Sequence, residues 1–177
     1  MDLFAENLYI SFFSIFCLFT VVLDLRHRRV PNRMLLVAVV LQIIWLVYLT
    51  LDGRPASVFE ATEWRQAVVG FFVGLAWFYP LWRFRALGAG DVKFIAVLGF
   101  LLGPVGLFSV LLVGTVACGL HALGMVVLMG WTSARNVWRS DSATRRGVPY
   151  AAYLALAAIA WMVWKVSEGG LRITWGG

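Results

Sequence analysis

The sequence predicts an all-α integral membrane protein: one membrane-embedded domain over residues 1–177, built as a bundle of six transmembrane helices. Three observations carry that class. The chain is 62% apolar and only 14% charged, with a mean hydropathy of +0.85, whereas soluble domains carry about 25% charged residues. Its apolar residues gather in runs near the length of about 20 that crosses a bilayer. Its basic residues fall in the gaps between those runs, where topology is encoded. A soluble chain of 177 residues could not enclose that much apolar sequence in one core.

The spans are expected at 8–23, 34–51, 67–81, 92–102, 107–129 and 148–166. Asp24 ends the first, and Asp52-Gly53 ends the second. Trp64 and Trp82 flank the third and suit the two interfaces, while Gly70 and Gly74 give it a small-residue face for close helix contact. The stretch 92–129 holds one charge, Lys93, and as a single helix would nearly double the hydrocarbon thickness of roughly 30 Å. Gly103-Pro104-Val105-Gly106 supplies the expected break. The fourth span is then too short to cross alone. Pro149 opens the last, a position where its missing N–H does no harm.

Charge placement tests that division. With the N-terminus outside, the inner segments 24–33, 82–91 and 130–147, with Lys93 at the start of the fourth span, hold Arg26, Arg28, Arg29, Arg33, Arg83, Arg85, Lys93, Arg135, Arg139, Arg145 and Arg146, which is 11 of the 15 basic residues. Only Asp24, Asp91 and Asp141 accompany them. The outer segments hold Arg54, Arg65, Lys165 and Arg172 against Asp2, Glu6, Asp52, Glu60, Glu63 and Glu168. Were 92–129 one span, the Arg135–Arg146 cluster would fall outside, against the positive-inside rule. Six spans with both termini outside are therefore expected. The charge of +6 reads as contact with anionic lipid rather than with nucleic acid. Cys17 and Cys118 lie in apolar stretches and read as small buried hydrophobes; two cysteines make neither a zinc set nor a disulfide framework.

Two polar islands interrupt the oily chain: 24–32, Asp-Leu-Arg-His-Arg-Arg-Val-Pro-Asn, and 88–93, Gly-Ala-Gly-Asp-Val-Lys. Each places one acid at the inner end of a span, so Asp24 and Asp91 are expected at similar depth. An ionisable group at membrane depth is costly and usually has a partner or a task. Two carboxylates side by side cannot both ionise cheaply; they share a proton, so that one can activate water while the other donates to a carbonyl oxygen. That chemistry needs no metal and no cofactor. His27 and His121, the only histidines, offer no Cys–His or Ser–His–Asp rival. Simpler readings stand beside these. Asp91 can be a helix cap, and Asp24 an interfacial charge paired with Arg26 or Arg28. Lys93 can be a snorkelling topology charge or can tune the field at Asp91, and His27 can be a solvated loop residue. Gly88 and Gly90 can allow unusual dihedrals or close approach of a peptide backbone. Pro31-Asn32 can stop the loop and cap the second span.

These residues resemble the prepilin peptidases, a family of bacterial inner-membrane aspartic proteases of the Gly-x-Gly-Asp type. The resemblance rests on Asp24 followed by Val30-Pro31-Asn32, on Gly88-Ala89-Gly90-Asp91-Val92-Lys93, and more loosely on Pro149-Tyr150-Ala151-Ala152-Tyr153-Leu154. It implies that Asp24 and Asp91 are the catalytic pair. Gly88, Gly90, Lys93, Pro31 and Asn32 would be their supports, and the substrates type IV or Flp-type prepilins or pseudopilins, cut at the cytoplasmic face between a basic leader and an apolar helix. The chain is similar to the compact, peptidase-only branch, because it begins almost at the first catalytic span and lacks the zinc-binding cysteine pairs of members that also methylate the new terminus. Presenilin-like proteases share Gly-x-Gly-Asp but place Tyr before the other acid, where this chain has Leu23. A non-enzymatic assembly factor or transporter subunit is the remaining alternative. Oligomeric state and the individual substrate are not encoded in any motif.

Overall fold

The computed structural model describes residues 2–27, 30–52, 63–85, 87–139 and 149–174. They form five helices: α1 (Asp2–His27), α2 (Asn32–Asp52), α3 (Trp64–Arg83), α4 (Ala89–Arg139) and α5 (Tyr150–Thr174). Four of them, all but α3, contain a stretch long and apolar enough to cross a membrane. The inner-segment residues Arg28, Arg29, Asp141, Arg145 and Arg146, and the outer-segment Arg54 and Glu60, lie outside the described residues.

Helix α4 is the centre of the bundle. It packs against α2, α3 and α5, while α1 packs on α5. Its central position explains why its sequence is apolar on every side rather than striped. The core lies where α1, α4 and α5 meet: Phe13, Phe94, Leu98, Leu101, Leu102, Leu154 and Ala158 are shut off from the surroundings. Two polar side chains within it find partners. Tyr9 donates its hydroxyl proton to Gln42 Oε1 at 2.7 Å, tying α1 to α2, and Thr20 donates to the Phe16 carbonyl one turn back. Outer faces of α1, α2 and α3 expose residues such as Ile15, Leu36, Ile44 and Phe72, as expected of helices that face lipid.

The sequence separates a fourth and a fifth span; the backbone instead forms one unbroken helical element across Gly103-Pro104. The expected loop is absent because a single residue does its work. Gly103 has φ 71°, a left-handed conformation that costs an L-residue with a side chain about 1–2 kcal/mol. The contacts show that α4 folds back there. In a straight helix Gly99 and Leu107 would stand about 12 Å apart along the axis. Yet Leu107 Cδ2 comes within 3.1 Å of the point where a Cβ on Gly99 would lie, and it also touches Gly74, beside Ile95 and Ala96. Asp91 and Cys118, which a straight helix would hold about 40 Å apart, lie within electrostatic reach of each other. Helix α4 is therefore two antiparallel arms joined at Gly103, the second running back beside the first.

Glycines also set the spacing of α3. A Cβ on Gly70 would fall within the carbonyl of Gly99, and one on Gly99 within the carbonyl of Gly70. The two backbones touch, which only paired glycines allow. The expected small-residue face of the third span thus meets the first arm of α4. Arg85, at φ 59°, reverses the chain after α3, with its N–H bonded to the Trp82 carbonyl at 2.9 Å.

Candidate active site

The first polar island is less of a loop than the sequence suggests. Helix α1 continues past Asp24 to His27, so Asp24 sits in a helical turn rather than after the helix. It is buried, with 5% of its surface exposed. The amide of Ala152 donates to Asp24 Oδ2 at 2.8 Å. Ala152 lies in the first turn of α5, where the leading N–H groups lack helical partners. The acid of α1 thereby satisfies one of the leading N–H groups at the start of α5.

The second acid is held by the same device on its own chain. Asp91 stands in the first turn of α4, two residues beyond its first residue, with its backbone N–H bonded to the Gly88 carbonyl at 3.1 Å. Its carboxylate reaches back to accept from the Gly88 backbone N–H, as the third-position acid of a capping box does. Asp91 is therefore not the cap itself, a position Gly88 holds, but an acid of the first turn of α4. Gly88 and Gly90 do not have positive φ; among the described glycines only Gly103 does. The case for glycine here is space. A Cβ on Gly88 would lie 3.0 Å from Asp91 Oδ2, whereas one on Gly90 would meet nothing within 4 Å.

The two islands close around one cavity of about 270 Å³. Asp24, Val30 and Asn32 line it from the first island, and Gly88, Gly90, Asp91 and Lys93 from the second. Asp24 lies close enough for its charge to act on Asp91. Lys93 Nζ donates to Asn32 Oδ1 at 3.3 Å, so two residues singled out separately in the sequence join the islands directly. Pro31 does not line the cavity. Its carbonyl accepts the amides of Met34 and Leu35, at 3.0 and 3.4 Å, and so starts α2. His27 is exposed at the end of α1.

Several participants have no motif around them in the sequence. Because α4 doubles back, its second arm returns to the level of the acids. Cys118, read as a buried hydrophobe, is only half-buried and lies within electrostatic reach of both Asp24 and Asp91. Thr115 and Tyr150 share a hydrogen bond of 3.0 Å, and Tyr150 is within reach of Asp91. Tyr153 pairs with His121 Nδ1. The Pro-Tyr-x-x-Tyr segment thus fastens α5 to the second arm of α4 on both sides of the residue that holds Asp24. Among the described residues no group of three His, Cys, Asp or Glu side chains is placed to hold a metal ion.

The model of the type IV leader peptidase family matches residues 11–123, more than half of the chain and both acids. The chain belongs to the type IV leader peptidase family. Comparison with curated proteins and with solved structures gave no match. Membership makes this multi-pass membrane protein a peptidase whose substrates are of the prepilin class. The family match stops at residue 123, before α5, so the amide that holds Asp24 comes from outside the matched region.

Proposed function

We propose that this leader peptidase is an aspartic endopeptidase in which Asp24 and Asp91 activate water to remove the basic leader of a type IV or Flp-type prepilin, or of a pseudopilin. One observation carries the reading: two acids 67 positions apart line the same small cavity, each fixed by a backbone amide. Carboxylates in that relation share one proton. The ionised acid takes a proton from a water between them, and the oxygen attacks the scissile carbonyl. The protonated acid donates to the carbonyl oxygen. The tetrahedral species then collapses, and the departing nitrogen collects a proton as the peptide bond breaks. The open space over Gly90 admits a substrate backbone beside the acids. Lys93, fixed by Asn32, adds a positive charge at the rim.

The reading extends to topology. The two arms of α4 supply the fourth and fifth of six membrane passes, with the Gly103 reversal near the outer side. Both termini then lie outside the bacterial inner membrane, and the acids face the cytoplasm, where a leader is exposed before export. Coexpression with candidate prepilins, followed by N-terminal sequencing, tests the function. A new terminus at the junction of leader and apolar helix is the expected result, and an intact precursor with every candidate would reject it. EDTA should leave the rate unchanged.

A further inference from the structure

A large apolar hollow lies apart from the cavity at the acids. It is a groove of about 510 Å³ between α3 and the second arm of α4, with Val73, Gly74 and Trp77 on one wall and Leu107, Phe108 and Leu112 on the other. Two glycine seams create it. Gly70 and Gly99 draw α3 onto the first arm of α4. Gly106 and Gly114 draw the second arm toward α5, where a Cβ on Gly106 would press on Trp161 and one on Gly114 on Leu154. Pulled to opposite sides, α3 and the second arm touch at Gly74 and Leu107 and leave a trough beyond. Trp77 and Phe108, 74% and 68% exposed, form its lips.

The groove leads to the catalytic end. It runs from Pro104, next to the reversal, to Thr115 and Val116, about 18 Å along the helix axis. Thr115 is hydrogen-bonded to Tyr150, two residues from the amide on Asp24. Cys118, three residues further on the same helix face, lies within reach of both acids.

We infer that this groove is the docking site for the apolar helix that follows the scissile bond, seated between α3 and the second arm of α4 so that its start meets Asp24 and Asp91. The inference rests on the peptidase reading. A groove walled by two helices takes a third by inserting a row of side chains at i, i+3, i+4 and i+7. An acyl chain would fit the same apolar walls, but it gives no reason for the groove to run toward the end of the bundle that holds the two carboxylates. Its depth also lets the substrate enter from the bilayer without leaving it.

The test uses the full chain in liposomes with a synthetic precursor: a basic leader ending in glycine, then an apolar helix of about 20 residues. A photoreactive phenylalanine replaces Phe108 in the groove or, as a control, Phe72, which is exposed on α3 and outside the groove. Both are placed in an Asp91→Asn background to hold the precursor uncut. Adducts on the precursor's apolar helix should form at position 108 at least tenfold more than at 72. Equal capture at the two positions, or capture of lipid alone at 108, would overturn the docking site. Leu112→Trp, which fills the groove, should lower kcat/KM for the precursor relative to that for a short peptide lacking the helix, by about tenfold. An unchanged ratio would also overturn it. Cleavage of the precursor by the unmodified protein is read in parallel. Its absence would count against the peptidase reading, whereas cleavage without preferential capture at 108 would count against the groove alone.

Discussion

Asp24 and Asp91 are each oriented by one backbone amide, so their isosteres should keep the fold while losing the proton chemistry. Asp24→Asn and Asp91→Asn should insert at normal levels and lose about 10²- to 10⁴-fold in cleavage, the range for removing a proton-transfer group. Precursor processing at matched expression measures it. Processing at the unmodified rate by either variant would reject the paired-acid mechanism. The glycines beside Asp91 should separate. Gly88→Ala pushes on Asp91 Oδ2 and should slow cleavage without unfolding the bundle. Gly90→Ala meets no protein atom and should leave thermal stability unchanged, so any rise in its KM reports a substrate backbone over that position. Asn32→Ala removes the partner of Lys93. It should cost fivefold or less in rate, the equivalent of one ordinary hydrogen bond of about 1 kcal/mol.

At the scale of elements, the reversal of α4 and its seam with α3 decide whether the site assembles. Gly103→Ala places a side chain at φ 71° and should cost about 1–2 kcal/mol. Gly99→Val drives a branched side chain into the Gly70 carbonyl and should be worse, because a backbone cannot move aside as a side chain can. Thermal unfolding in detergent ranks the two; a Gly99→Val protein as stable as the unmodified chain would disprove the backbone contact. Pro104 marks the break in the sequence, but the left-handed turn belongs to Gly103, and Pro104 then continues the helix at its favoured φ. That is why the expected loop between two spans is missing: one left-handed glycine turns the chain, and both arms stay helical up to it.

For the whole molecule, the arrangement of charge predicts orientation and substrate handling. A phosphatase reporter that works only outside the inner membrane should be active when fused after Gly177 and inactive after Trp138. The opposite pattern would invert the topology. A basic leader is held at an anionic bilayer by about 1 kcal/mol per Lys or Arg near the surface. Neutralising those residues should therefore slow cleavage chiefly in anionic liposomes and little in neutral micelles. Equal loss in both would point to an acidic contact on the enzyme, with Asp141 as the first residue to substitute.

The sequence by itself determined the helical membrane class, the grouping of basic residues in the gaps between apolar runs and the two polar islands with one acid each, because apolar run length and charge are local quantities written directly in the chain. It also marked Gly103-Pro104 as the place where 92–129 must break, since no single helix of that length fits a bilayer. Tertiary structure alone decided which neighbours complete the site. The amide of Ala152, the Thr115–Tyr150 pair and the approach of Cys118 to both acids arise from α1, α4 and α5 meeting at one end of the bundle. Such contacts have no periodicity and no motif. They depend on how closely backbones approach at Gly70 and Gly99 and on a single dihedral at Gly103, which the residue types permit but do not specify.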